Sequence, residues 1–227
     1  MITTSTLARG AGLAAILAGI LFIGIQAIHP PETLSSVSTD RWAIVHYLTI
    51  VMALFGLIGI TGLYAIQVKE AGWLGLAGFL FLSLFWIATI AFTFVEAFIL
   101  PLLPDDAPGF VEGYLGIFSG GAGEANLGVL PAVAPLAGGL YILGGLLFGV
   151  AAYRAGILPR GAAALLAFAT VATLSSSLLP HPLDRLLAVP MGLALVWLGY
   201  ALWSGRRGKI RSPYPAGAAP GSTNRSA

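Results

Sequence analysis

The chain alternates between long uninterrupted apolar runs and short polar connections. Six of the apolar runs are about twenty residues long, which is the length that an α-helix needs to cross a bilayer. Prolines stand at their ends, where helices tolerate them. The pattern therefore predicts six transmembrane helices. Their expected boundaries are 10–28, 42–66, 73–100, 129–152, 161–179 and 183–203.

Composition narrows the fold class. Of the 227 residues, 58% are hydrophobic and only 9% are charged, whereas soluble domains carry roughly 25% charged residues. In lipid, only helices and closed barrels satisfy their own backbone polar groups, and barrel strands would appear as alternating runs of about ten residues. The sequence therefore predicts an all-α polytopic membrane protein in contact with the lipid bilayer. Its basic residues flank the predicted spans, so they do not indicate a nucleic-acid partner.

The positions of Lys and Arg predict the orientation, because cytoplasmic loops are enriched in them. An even number of spans with the N-terminus inside leaves only Arg41 and Arg185 outside. The cytoplasmic set is then Arg9, Lys69, Arg154, Arg160, Arg206, Arg207, Lys209, Arg211 and Arg225. We therefore expect both termini in the cytoplasm. Arg outnumbers Lys, and Ala and Gly are abundant; such a composition is typical of GC-rich bacterial genomes, which indicates a bacterial cytoplasmic membrane. Trp42, Trp73 and Trp203 fall at predicted interfaces, as in aromatic belts.

The domain organisation is simple. Residues 1–204 are predicted to form the six-helix domain. Residues 205–227 are basic and then rich in Gly, Ala, Ser and Pro, so they are expected to form a disordered cytoplasmic tail. The longest connection, 101–128, carries apolar residues at helical spacing between Phe110 and Phe118. This spacing is compatible with a short helix on the outer leaflet and equally with a loop that caps the bundle.

Small residues recur at the spacing of helix contacts. They are Ala14, Ala18, Gly56, Gly59, Gly62, Gly72, Gly75, Gly78, Gly145 and Gly149. Small residues let helix backbones approach closely in lipid. We interpret these Gly and Ala faces as packing surfaces within the bundle. They also offer contact surfaces for a membrane-protein partner.

Polar residues gather in the outer halves of the predicted spans, while the cytoplasmic halves are nearly all apolar. The set is Gln26, His29, His46, Thr49, Thr89, Thr93, Glu96, Thr170, Thr173, Ser177 and His181. Within a span, their spacing of three or four residues places them on one helix face. An ionisable residue at this depth is costly unless it finds a partner. For Glu96, the candidate partners are His46, Arg41 and Arg185.

Three hypotheses explain this polar set. In the first, the polar groups only fix helix packing, with hydroxyl groups bonded to carbonyls of their own helices. In the second, they line an outward-facing cavity for a small solute or ion, with His46, Glu96, Thr93, Thr89, Ser177, His181 and Gln26 as ligand-binding residues. In the third, His29, His46, His181 and Glu96 hold a metal ion, since imidazole and carboxylate suit zinc, copper or iron.

Catalytic motifs do not stand out in this chain. The sequence has no HxxH, HxxxH or HExxH spacing, and no local set of nucleophile and base. The absence of cysteine excludes thiolate catalysis and disulfides. The sequence therefore identifies no catalytic residues and leaves any cofactor open.

Several stretches resemble a broad group of small bacterial six-helix integral membrane proteins of unknown function. They are "IHPPETLSSVSTDRWAIVHYL", "EAFILPLL", "YRAGILPRGAAALLA" and "WLGYALW". The resemblance implies six helices with cytoplasmic ends and implies no activity. The size and helix number also resemble the substrate-binding subunits of vitamin-uptake transporters, in which an Ala face on the first helix docks a partner. Here Ala11, Ala14, Ala15 and Ala18 match that face.

Taken together, these observations lead to three functional hypotheses. The leading one is an integral membrane protein that binds a small solute or ion from the outside. The alternatives are an accessory subunit of a larger membrane complex and a metal-dependent membrane enzyme.

Overall fold

The computed structural model describes residues 3–119, 125–180 and 183–205, and this part of the chain contains helices and no strand. Five of its helical segments are long and apolar enough to cross a membrane. They are Thr4–Ile28, Asp40–Ala65, Val68–Leu102, Leu130–Ala155 and Leu183–Trp203. The prediction of an all-α fold is thus confirmed, and these five segments have the length and apolarity predicted for transmembrane helices. The tail 206–227 lies outside the described residues.

Seven α-helices occur in the described ranges. They are α1 (Thr4–Ile28), α2 (Asp40–Ala65), α3 (Val68–Phe94), α4 (Pro108–Ser119), α5 (Val133–Ala155), α6 (Arg160–Ala172) and α7 (Ala188–Trp203). Irregular helical turns extend several of them. A π-helix, Val95–Ile99, follows α3, and short 3₁₀ segments lie at Leu100–Leu102, Leu130–Ala132, Thr173–Leu178 and Leu183–Leu187.

Local sequence accounts for where the helices begin and end. The Thr39 side chain caps α2 by accepting a hydrogen bond from the Trp42 backbone N–H at 3.2 Å, which satisfies one of the free donors of the first turn. Gly156 ends α5 with a φ of +67°, a left-handed conformation that glycine adopts without strain. Gly72, with a φ of +57°, breaks the start of α3. The main helix therefore begins near Trp73, as predicted from the sequence.

The predicted span 161–179 differs most from a regular helix. Its α-helical part, α6, has 13 residues and continues as the 3₁₀ segment Thr173–Leu178. Two hydroxyl groups accompany the change, because Thr173 Oγ1 and Ser175 Oγ each donate at 2.6 Å to the carbonyl three residues earlier. Such local bonds compete with the α-helical ladder, and Pro180 prevents its continuation.

Six helices form a closed ring in the order α1, α2, α3, α5, α6, α7, and α7 packs again on α1. The first turns of α1 lie against the last turns of α7, since a Cβ at Gly12 would lie 2.6 Å from the Trp203 backbone nitrogen. Thr4 and Trp203 therefore lie at the same end of the bundle, which we call the terminal end. The opposite end, where α1 finishes and α2 begins, carries His29 and His46. We call it the histidine end.

Small residues hold the helices of the ring together. A Cβ at Gly59 would lie 2.8 Å from the Ala15 Cβ, and one at Gly149 would lie 2.7 Å from the Ala163 carbonyl. The packing role predicted for the glycines holds at these positions. Gly72 is an exception, because it makes a kink and has no neighbour within 4 Å. The four alanines compared with a docking face are at most 8% exposed, so the chain itself covers them.

The helix α4 lies across the histidine end. Its buried Val111, Tyr114 and Leu115 pack against Trp42 and Leu100, together with Val37 and Phe92. The connection 101–128 thus contains a helix, as one interpretation has it, and this helix packs on the bundle, as the other has it. The glycine-rich stretch 120–123 lies outside the described residues.

Candidate functional site

The histidine end brings Glu96, the carboxyl group predicted within the third span, against an imidazole. Glu96 lies in the π-helix that follows α3, and His46 lies in the second turn of α2. The His46 Nε2 atom is 3.6 Å from Glu96 Oε2, and their side chains are 3% and 18% exposed, respectively. Among the three candidate partners of Glu96, the structure therefore places His46 beside it.

The hydrogen bond on the other side of the ring fixes how His46 faces Glu96. The His46 Nδ1 atom is 2.7 Å from the Trp42 carbonyl oxygen, and a carbonyl only accepts, so Nδ1 carries a proton. In the neutral imidazole, Nε2 is then an acceptor that faces the carboxyl group. The contact between Nε2 and the carboxyl group is favourable when they share one proton, which is on either the carboxyl oxygen or Nε2. Either way, the pair has a net charge of zero.

Trp42 supports this pair by completing an irregular helix. In the π-helix, the Leu100 N–H bonds to the Val95 carbonyl five residues earlier. The next carbonyl, that of Glu96, would need the N–H of Pro101, which proline lacks. The Trp42 indole Nε1 donates to this carbonyl at 2.8 Å. The same indole stacks on the His46 ring with a centroid distance of 4.0 Å, so one buried side chain positions both partners.

The helix α4, which caps the histidine end, packs on the last turn of α3. The Tyr114 hydroxyl donates to the Phe92 carbonyl at 3.0 Å, and the two rings stack at 4.4 Å. Burial, followed by the neighbouring Glu96, raises the pKa of Tyr114 above its ordinary value, because both disfavour a phenolate. Tyr114 is thus a neutral donor that ties α4 to the last turn of α3.

Two arginines cap the C-terminal end of α1. Arg41 Nε donates to the Ile28 carbonyl at 2.8 Å, and Arg185 Nη1 donates to the Gln26 carbonyl at 3.5 Å. Cations are favourable there because the carbonyl end of a helix carries partial negative charge. The Nη2 atom of Arg185 is 3.4 Å from His29 Nδ1, and the His29 ring lies 5.6 Å from the His46 ring. Arg41 and Arg185 thus serve the backbone of α1 rather than Glu96.

Two adjoining cavities open at this end. The larger, which we call the vestibule, has a volume of about 470 Å³ and is lined by residues of α1, α3, α5, α7 and the 3₁₀ segments around Thr173 and Arg185. The smaller, which we call the side pocket, has a volume of about 220 Å³ and lies between α3 and α5, beside Glu32 and Glu96. Phe85 and Ala137 line both cavities, so the two cavities are adjacent.

The vestibule wall contains a polar group that the described residues leave unsatisfied. Tyr141 is 7% exposed, and its buried hydroxyl has no hydrogen-bond partner there. The buried Trp86 Nε1 is in the same situation. An unpaired buried polar group costs roughly 1–3 kcal/mol, so such groups are usually bonded to protein, water or a ligand.

The structure distributes the predicted ligand-binding residues among these features. Thr89, Thr93 and Glu96 line the side pocket, and Gln26 lines the vestibule. His46 lies behind Glu96 and lines neither cavity. The side chain of Ser177 and the whole of His181 lie outside the described residues.

The metal hypothesis receives no geometric support from the part of the chain that is described. There, no three His, Cys, Asp or Glu side chains come close enough to hold a metal ion. His29, His46 and Glu96 do not form such a group. The full set predicted for a metal includes His181, so the four-residue hypothesis stays a prediction.

Sequence reasoning missed the role of several residues. It placed Trp42 in an interfacial aromatic belt, whereas Trp42 is fully buried and joins His46 to the Glu96 backbone; Trp73 is 85% exposed, as a belt residue should be. Pro101, five positions after Glu96, was the available signal for a free carbonyl that needs a donor. Nothing in the sequence indicated the unpaired hydroxyl of Tyr141.

Comparison of the chain with protein-family models, with curated proteins and with solved structures finds no match. The functional argument therefore depends on the geometry of the histidine end.

Proposed function

We propose that the chain is a six-span protein of the bacterial cytoplasmic membrane with both termini in the cytoplasm. The sixth crossing is α6 with its 3₁₀ continuation. At rises of about 1.5 and 2.0 Å per residue, this segment reaches about 30 Å, which matches the hydrocarbon core. The position of Thr4 and Trp203 at one end supports an even number of crossings.

Charge supports the proposed direction of insertion. Among the described residues, Arg9, Lys69, Arg154 and Arg160 flank the terminal end, against Arg41 and Arg185 at the histidine end. Such an excess of positive charge is typical of the cytoplasmic side. The histidine end then faces outward, and so do its cavities.

The native chain has no cysteine, which permits a direct test of this topology. Single substitutions Ser5→Cys, Ser204→Cys and Asp105→Cys are labelled in intact cells with a membrane-impermeant maleimide. We expect Asp105→Cys to react in intact cells, and the other two to react only after the membrane is opened. Labelling of Ser5→Cys in intact cells would refute the orientation, and opposite results for Ser5→Cys and Ser204→Cys would refute the even number of spans.

We further propose that the protein binds a small solute or ion at its outward-facing end. The observation that carries this proposal is the vestibule, a cavity that opens at the histidine end and is lined by Tyr141, whose buried hydroxyl has no hydrogen-bond partner among the described residues. Its size falls in the usual range for small-molecule sites, which are mostly apolar with a few convergent polar groups. Gln26, Arg185 and the side pocket supply those polar groups.

Native mass spectrometry tests this function on full-length protein gently extracted from its own membrane. We expect a bound small molecule or ion in the wild type and its loss in Glu96→Ala/His46→Ala. An empty wild type, or a variant that keeps its ligand, would refute the proposal. The exposed Glu112→Ala on α4 is the matched control, because it also removes a carboxyl group from the histidine end.

A further inference from the structure

We infer that the solute is an organic ammonium compound whose positive group enters the side pocket beside Glu96 and Glu32. This inference rests on the proposed binding function and specifies its ligand class.

The ionisable side chains that line the side pocket are both acidic. Glu32 and Glu96 both face it, and none of its described lining residues is basic. Arg41 and Arg185 donate to carbonyls at the end of α1. The carboxyl group of Glu96 is accessible from the side pocket. His46 lies on the opposite side of this carboxyl group. A cavity with two carboxyl groups and largely apolar walls favours a cation over an anion, and at Glu96 the cation would take the place of the proton shared with His46.

The other lining groups favour an organic cation over a bare metal ion. The walls are formed largely by Phe85, Phe92, Ala88, Val133 and Ala137, with the hydroxyl groups of Thr89 and Thr93 between them. Aromatic faces attract ammonium groups, most strongly in a desolvated site. The volume of about 220 Å³ equals that of roughly seven water molecules, which is enough for an alkylammonium group and its carbon substituents.

The adjoining vestibule accounts for the rest of such a molecule. Its lining includes the Gln26 side chain and Tyr141, whose buried hydroxyl has no partner among the described residues. Because Phe85 and Ala137 line both the vestibule and the side pocket, the two cavities are adjacent, and a ligand that extends past these two side chains reaches both. Hydroxyl-bearing amines fit this description, whether free or as the headgroup of a lipid.

The test measures binding of choline and ethanolammonium to the full-length chain by calorimetry in a lipid-free maltoside detergent. The neutral isostere of choline, 3,3-dimethylbutan-1-ol, has the same shape without the charge. We expect it to bind at least tenfold more weakly than choline. We expect Glu96→Gln to weaken choline binding at least tenfold, Glu96→Asp to retain part of the affinity, and the control Glu112→Gln to leave it unchanged. Gel filtration and thermal unfolding show that each variant is folded.

A second arm distinguishes a free solute from a lipid headgroup. The protein is placed in nanodiscs with phosphatidylglycerol alone or with added phosphatidylethanolamine, and bound lipid is read by native mass spectrometry. Retention of phosphatidylethanolamine that is lost in Glu96→Gln supports the ammonium class with a lipid source, even if free choline does not bind. Equal binding of choline and its neutral isostere overturns the inference, as does a lack of binding in both arms.

The inference and the proposed function fail separately. If the wild type carries an uncharged or anionic compound that Glu96→Ala/His46→Ala loses, the ammonium class is wrong while the binding function stands. If the wild type carries nothing and no ammonium probe binds, both are wrong.

Discussion

The hydrogen bond from Trp42 to the Glu96 carbonyl makes a quantitative prediction. Trp42→Phe keeps an aromatic ring near His46 and removes the indole N–H that lies 2.8 Å from this carbonyl. Pro101 gives the carbonyl no alternative donor within its helix. Loss of the partner of a buried acceptor costs about 1–3 kcal/mol, which corresponds to a factor of about 5 to 150 in the unfolding equilibrium. We expect a destabilisation in this range.

A double-mutant cycle with Pro101→Ala isolates this bond from the other effects of losing the indole. Alanine at position 101 restores a backbone N–H within reach of the carbonyls one turn earlier, so Trp42→Phe should cost less in that background. Unfolding free energies are measured by SDS titration in bicelles for the wild type, both single variants and the double variant. We expect a coupling of at least about 0.5 kcal/mol, the lower bound typical for residues in one hydrogen-bond network. Additive effects would refute the role assigned to Pro101.

Three further predictions concern packing, pH and ligand linkage. Gly12→Ala should destabilise the bundle by about 1–3 kcal/mol, because its Cβ would lie 2.6 Å from the α7 backbone. The control Gly24→Ala, with open space around it, should be neutral or stabilising. Equal unfolding temperatures for the two variants would contradict this prediction. Because the pKa of Tyr114 is raised in the folded protein, its phenol ionises first in the unfolded chain. The free energy of unfolding should therefore fall as the pH rises above about 10, and it should fall less in Tyr114→Phe. Identical pH profiles for the two proteins would count against a buried, neutral Tyr114. If an ammonium ligand expels the proton shared by His46 and Glu96, calorimetry in two buffers of different ionisation enthalpy should show proton release in the wild type and none in Glu96→Gln.

The proton release would reflect every group around Glu96, so its neighbours define the controls. His46 faces it from α2, Glu32 from the connection before α2, and Tyr114 from α4. His29 adds a second imidazole behind His46. Proton release that persists in Glu96→Gln would assign the proton to one of these neighbours instead.

The helices were predictable because the length and apolarity of a span follow directly from the thickness of the hydrocarbon core. The third span illustrates this, since its predicted start at Trp73 coincides with the break at Gly72. The 3₁₀ continuation of α6 was harder to foresee, because Thr173 and Ser175 bond locally to carbonyls without changing the apolar pattern. Hydropathy indicates which segments lie in the membrane. It does not indicate whether their hydroxyl groups favour the hydrogen-bond pattern of an α-helix or of a 3₁₀ helix.

The candidate site was predictable only in part, for a similar reason. That Glu96 needs a partner follows from the cost of a buried charge, and this argument led to His46 among three candidates. The choice among them depended on the ring order of the helices, which brings α2 beside the end of α3. The vestibule depends on residues from six separate elements, and no pattern within one segment reports a space between several.

The polar groups of the histidine end divide according to what they satisfy. Trp42, Tyr114, Arg41 and Arg185 each donate to a backbone carbonyl near the end of α1 or α3. Helix ends and the proline-interrupted turn create those free acceptors, so these four side chains are explained by the fold alone. The same explanation fails for the Glu96 carboxyl group and the Tyr141 hydroxyl. Neither completes a helix, yet both lie where an unsatisfied polar group is costly and beside two adjacent cavities. Polar groups that the backbone does not require are the ones that a ligand would use, and this separation favours a binding site over packing alone.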